Sequence, residues 1–136
     1  MHKDNPYVGA VGRFLIAALF LISGLGKIAA HALTQGYIAS AGLPFPVLAY
    51  LVAIVIEVGG GILLILGYQS RIVASVMAVF TVAAALSFHH NFADQNAMVH
   101  FLKNISITGG LLQIVALGAG TFSIDGRLAQ SPTING

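Results

Sequence analysis

The chain has 136 residues, of which 57% are hydrophobic and only 7% charged, against about 25% charged in a typical soluble domain; its mean hydropathy is +0.91. Six Lys or Arg and four Asp or Glu cannot cover a water-soluble globule, and without a basic run there is nothing to hold phosphates, so a soluble enzyme, a disordered chain and a nucleic-acid binder are excluded. The absence of cysteine excludes disulfides, thiolate metal sites and a thiol relay within this chain, leaving an integral membrane protein.

A helix that crosses the hydrocarbon core needs about 20 apolar residues. Four stretches qualify, about 8–30, 47–67, 72–92 and 101–119, each continuous and free of proline. Continuous runs favour helices over barrel strands, which alternate. The predicted fold is therefore all-α: an integral membrane four-helix bundle, one transmembrane domain over residues 1–136. The first stretch has a basic start and Ala30-His31-Ala32 at its end, in the manner of a signal peptide, but its length and Lys27 read as a span. Between the first two spans, Leu33, Tyr37, Ile38 and Ala41 fit a short interfacial helix or a plain connector, stopped at Pro44 and Pro46. After Gly120 the chain turns polar, and residues 121–136 are predicted to form a flexible tail.

Lys3, Arg13, Arg71 and Arg127 fall on the side that holds both termini, and Lys27 and Lys103 on the other. The positive-inside rule then places both termini in the cytoplasm.

Glu57 sits about ten residues from either end of its span, roughly 15 Å from each edge. A charge there costs about 2.5–3.5 kcal/mol on the most lenient scale, so it must face the bundle interior and be paired or protonated. Counted from the cytoplasmic ends at the helix rise, Gln113 lies roughly 12 Å in, Lys27 roughly 21 Å, and His89 and Lys103 roughly 27 Å. Lys27 is the preferred partner of Glu57. Ser23 and Lys27 share a face at i, i+4, Tyr50 and Glu57 at i, i+7, and Lys103, Ser106, Gly110 and Gln113 form one stripe. The predicted site is an outward-facing polar cavity that binds a ligand or exchanges protons, built from Lys27, Glu57, His89, His90, Lys103, Asn104 and Gln113. The same buried pair also reads as a lock on helix register without chemistry.

His31, His89, His90 and His100 gather at the outer end. With Asp94 they make His89, His90 and His100 weak metal or haem-ligand candidates, but no fixed-spacing metal motif is present, and proton exchange near neutral pH is the milder alternative.

These residues resemble the DoxX family of small four-helix bacterial inner-membrane proteins. The resemblance runs from Gly12 to Arg127 and rests on an ordered set. It begins with Arg13, then Phe20-Leu21-Ile22-Ser23-Gly24 and Lys27, Gly42-Leu43-Pro44, Glu57 with Gly59-Gly60, and Gly67 with Arg71. It continues through His89-His90-Asn91-Phe92, Phe101-Leu102-Lys103-Asn104-Ile105-Ser106, and Ser123-Ile124-Asp125. It implies four helices in the bacterial inner membrane with both termini inside. Some relatives are membrane subunits of thiosulfate oxidation that deliver electrons to quinone, and others associate with oxidative-stress proteins. Two positions depart from the pattern: relatives often carry Trp where this chain has Phe92 and Leu102.

The expectation is a redox-associated subunit that binds a quinone or small anion in the cavity. As an enzyme it would be at most an oxidoreductase subunit working with a redox partner protein, or as a homo-oligomer. A non-catalytic scaffold with a structural Lys–Glu cluster is the alternative. A small transporter and a haem- or metal-binding membrane protein stand behind these.

Overall fold

A computed structural model of the chain describes residues 5–88 and 93–130. Helix α1 (Pro6–Ala29) starts where Asn5 accepts the Tyr7 N–H at 3.0 Å, with proline in its first turn; both are favourable at a helix start. Helix α2 (His31–Ser40) follows at once, so the connector does hold a short helix. The second span is composite, with α3 (Pro46–Ile54), a π turn (Val55–Gly59) and α4 (Gly60–Leu66). Helices α5 (Ser70–Phe88) and α6 (Gln95–Leu117) complete the spans, and a short α7 (Ile124–Gln130) closes the described chain.

Four segments are long and apolar enough to cross a bilayer: α1, α3 through α4, α5 to Ser87, and α6. The fourth starts six residues before the predicted 101, because Asp94 caps it by accepting the Asn96 N–H at 2.9 Å. A cap is a local signal that hydropathy overlooks.

Helix α1 lies along the second span, while α5 and α6 form a closely packed pair. The core joins them through Ala17, Phe20, Leu64, Ala74, Met77, Ala78, Leu111 and Ile114. Helices α1 and α6 approach each other where Ile16 meets Gly110, but touch little elsewhere. Only 11% of the most apolar stretch of α6 is buried, against 28–39% for the other spans, which leaves room for a cleft beside α1.

The polar tail is not loose through Gln130. Arg13, which the sequence reading places among the flanking charges, is buried to 2% exposure. Its guanidinium donates to the main-chain oxygens of Ala119, at 2.8 Å, and Phe122. The Asp125 carboxylate accepts the N–H groups of Gln69 and Ser70, both at 2.8 Å, and its own N–H returns to the Gly67 oxygen at 2.9 Å. The tail thereby caps the start of α5 from a distance of 55 residues, and Tyr7 packs on Phe122 with ring centroids 4.9 Å apart. Such pairings across the whole chain have no local sequence signature.

Partial burial favours the neutral form of Asp125. The Ser70 and Gln69 N–H groups, the adjacent Ser70 hydroxyl and the Arg13 charge outweigh it and hold the carboxyl below its ordinary 3.8.

Gly67 makes this docking geometrically feasible. Its φ is +68°, and a Cβ there would collide with Cβ of Ser123 and lie 2.7 Å from a guanidinium nitrogen of Arg13. Gly67→Ala is expected to cost more than the roughly 1–2 kcal/mol of left-handed strain alone, and to release the tail. Faster proteolysis after residue 118 with the spans intact is the measurement.

Candidate functional site

The site is built around the only acidic side chain among the described residues of the four spans. Glu57 is 5% exposed and lies in the π turn, a distortion that inserts an extra residue into the helical ladder and is often found at functional positions. From α1, the Lys27 Nζ donates to both carboxylate oxygens of Glu57 at 2.9 Å and to the Ser23 Oγ at 2.8 Å. Ser23 donates in turn to the Glu57 Oε1 at 3.2 Å. All three ammonium protons have acceptors, and the acid is answered by an amine and a hydroxyl from one face of α1. The Lys27 side chain keeps 29% of its exposure, so the pair lies at the edge of open space.

Two close approaches hold this geometry. Buried Tyr50 donates its hydroxyl to the Lys27 main-chain oxygen at 3.1 Å, tying α3 to the end of α1. Gly24 lets the π turn press against α1, since a Cβ there would fall 2.7 Å from Val58 Cγ2 and 3.1 Å from the Glu57 Cβ. Gly24→Val is expected to destabilise the protein by about 1–3 kcal/mol through overpacking. Thermal unfolding in detergent measures it.

Two cavities meet at the carboxylate. One, of 770 Å³, lies between α1, α5 and α6, with Leu19, Phe20, Phe80, Val99, Leu102 and Ile107 among its apolar walls and His100, Lys103 and Ser106 along α6. The other, of 460 Å³, lies beneath α2, whose Thr34, Tyr37 and Ile38 line it together with Lys27, Ala49, Ala53 and Ser87. Ser23, Glu57, Phe80, Ala84 and Asn104 border both.

Of the predicted site, the structure brings together Lys27, Glu57, Asn104 and the wall residue Lys103. Gln113 does not join them: it is exposed and lines neither cavity. The physical reason is drift, since ten residues at about 100° each fall some 80° short of three full turns. The stripe from Lys103 therefore rotates outward before it reaches Gln113. His89 and His90 lie outside the described residues. His100 is on α6 at the larger cavity, and among the described residues no three His, Asp or Glu side chains are grouped to hold a metal. Phe80, Thr81 and Ala84 of α5 also line the larger cavity and were not among the predicted site residues. Thr81 is the one signal that was available, a polar residue in an apolar run, although its hydroxyl is satisfied by the Met77 oxygen at 2.7 Å.

The DoxX family model matches residues 9–90. The inner membrane protein YqjF of Escherichia coli K12 is 39% identical over 115 residues, covering 85% of this chain and 87% of that protein. The inner membrane protein YphA of the same strain is 34% identical over 128 residues, covering 90% and 91%. No solved structure matches significantly.

Proposed function

Given that the chain belongs to the DoxX family, we propose that it is an inner-membrane subunit, with both termini cytoplasmic, that binds a quinone-class amphiphile in the cleft between α1, α5 and α6. The observation that carries this reading is polar capacity left unused at a mostly apolar wall. Among the described residues, the side chains of Asn104 and Lys103 have no hydrogen-bond or ion-pair partner, and both face the same cavity as the buried Glu57. A flat ring with two acceptor oxygens suits such a cleft. Asn104 and Lys103 would donate to the oxygens, while Phe80, Leu102 and Ile107 contact the ring and tail. Bound quinone would supply electron-accepting chemistry; the electrons come from a partner protein, since no side chain here carries them. The Glu57–Lys27 pair would hold a proton donor and its counter-charge beside the ring.

The test is titration of the purified protein in nanodiscs with a short-chain ubiquinone. Asn104→Leu is expected to weaken binding by about tenfold, one hydrogen bond's worth, whereas Gln113→Leu leaves it unchanged. Equal affinity in the wild type, Asn104→Leu and Glu57→Gln would overturn the reading.

A second reading has its own observation. Lys27 spends every donor on Glu57 and Ser23, as a pair that only locks α1 to the second span would do. It expects the apolar double variant Lys27→Met, Glu57→Leu to keep both fold and partner binding.

A further inference from the structure

The larger cavity satisfies the ligand proposal, but the smaller one is left without a task. The two linings are alike in their mix of polar and apolar side chains and differ in position. The larger cavity has exposed Leu19, Val99 and Leu102 on its rim, the lipid-facing surfaces of two spans that scarcely touch there. The smaller is roofed by α2, a helix that belongs to none of the four spans and is exposed along most of its length. Its walls carry the Thr34, Tyr37 and Ser87 side chains and the partly exposed Lys27. Glu57, Ser23 and Asn104 belong to both. A carboxylate that is 5% exposed thus forms part of the wall between a branch roofed by α2, which lies outside the spans, and a branch rimmed by exposed apolar side chains of two spans.

We propose that the two cavities are separate entrances to Glu57, a water branch beneath α2 and a lipid branch between α1 and α6, and that the carboxylate passes protons between them. This rests on the ligand reading for what the proton is used for, but not for the two-sided access itself. In the handover, a carboxylic acid form of Glu57 gives its proton to an anionic oxygen in the lipid branch. The carboxylate so formed closes on the Lys27 ammonium, and a proton from water beneath α2 restores the acid. No electrons move in that exchange. The charged and titratable groups that face it are Lys27 on α1, Tyr37 on α2, and His100 and Lys103 on α6.

Two carbodiimides distinguish the branches, one cationic and water-soluble, the other dicyclohexylcarbodiimide, which partitions into lipid. Either adds the Glu57 acid across a C=N bond, with the proton going to nitrogen. The adduct then rearranges to a stable N-acylurea or yields urea and an amide to Lys27, and both products are mapped by mass spectrometry. In proteoliposomes both reagents are expected to modify Glu57. Ala53→Leu, which fills the water branch only, should slow the water-soluble reagent by more than about tenfold while leaving the apolar one within about twofold, since each route is closed sterically. Ser106→Trp, in the lipid branch only, should do the reverse.

Failure of the water-soluble reagent to reach wild-type Glu57 while it modifies exposed Asp94 would overturn the proposal. So would both substitutions slowing both reagents alike, which would mean one common cavity. No quinone is present in this experiment, so its outcome is independent of the ligand titration.

Discussion

Removing the Lys27 amine is expected to destabilise the protein more than removing both members of its pair. In Lys27→Met the Glu57 carboxylate stays buried with Ser23 as its one remaining donor. Losing one partner of a buried ion pair costs about 3–5 kcal/mol when both groups are enclosed. Because Lys27 keeps 29% of its side-chain exposure, the lower end of that range applies. In the double variant Lys27→Met, Glu57→Leu, no charge remains to be desolvated, and apolar replacements of buried pairs are often neutral. The double variant should therefore melt within about 1 kcal/mol of wild type, with a coupling energy of about 2–3 kcal/mol across the cycle. Unfolding of all four proteins in one detergent measures it. Additive single effects would mean that the pair is not coupled. The same double variant separates the two functional readings: the fold survives under either, partner binding is kept if the pair is a lock, and quinone affinity is lost if the pair serves a bound ligand.

That pair was legible in the sequence because the bilayer makes it so. An acid ten residues from either end of an apolar run must be answered, and helix rise alone brought Lys27 within reach. Ser23 followed from i, i+4 spacing, and Tyr50 from i, i+7. Over the ten residues from Lys103 to Gln113, the mismatch between whole turns and 3.6 residues per turn carries Gln113 to the outside. The π turn at Val55–Gly59 was not legible at all. It sits where Gly24 packs against Val58 and Glu57, a tertiary fit with no sequence period. The same holds for the tail. A run of polar residues after the last span satisfies every rule for a loose end, and only the three-dimensional meeting of Arg13, Gly67 and Asp125 makes it part of the fold.

Arg13→Met is expected to free the segment after Gly118 without unfolding the spans. The Ala119 and Phe122 oxygens lose their donor, and a part-buried carbonyl left without one costs about 1–3 kcal/mol. Amide protection over 118–130 in hydrogen exchange should fall, while that of α3 through α5 persists. The acid response gives a second, independent signature. Asp125 is depressed below 3.8 in the folded chain because, against the opposing effect of burial, the Ser70 and Gln69 N–H groups, the Ser70 hydroxyl and the Arg13 charge together prevail. A carboxyl lowered by folding contributes its stability fully above its unfolded value of 3.8 and loses it as pH falls through the folded value. Wild-type docking should therefore persist at pH 4 and fail only in stronger acid. In Arg13→Met one of the lowering influences is gone and burial is opposed by the Ser70 and Gln69 contacts alone, so release of the tail should begin at higher pH. Asp125→Asn removes the titration itself: its docking should be weaker at neutral pH and flat across the acid range. A tail in Asp125→Asn that still loosened with acid would place the responsible group elsewhere.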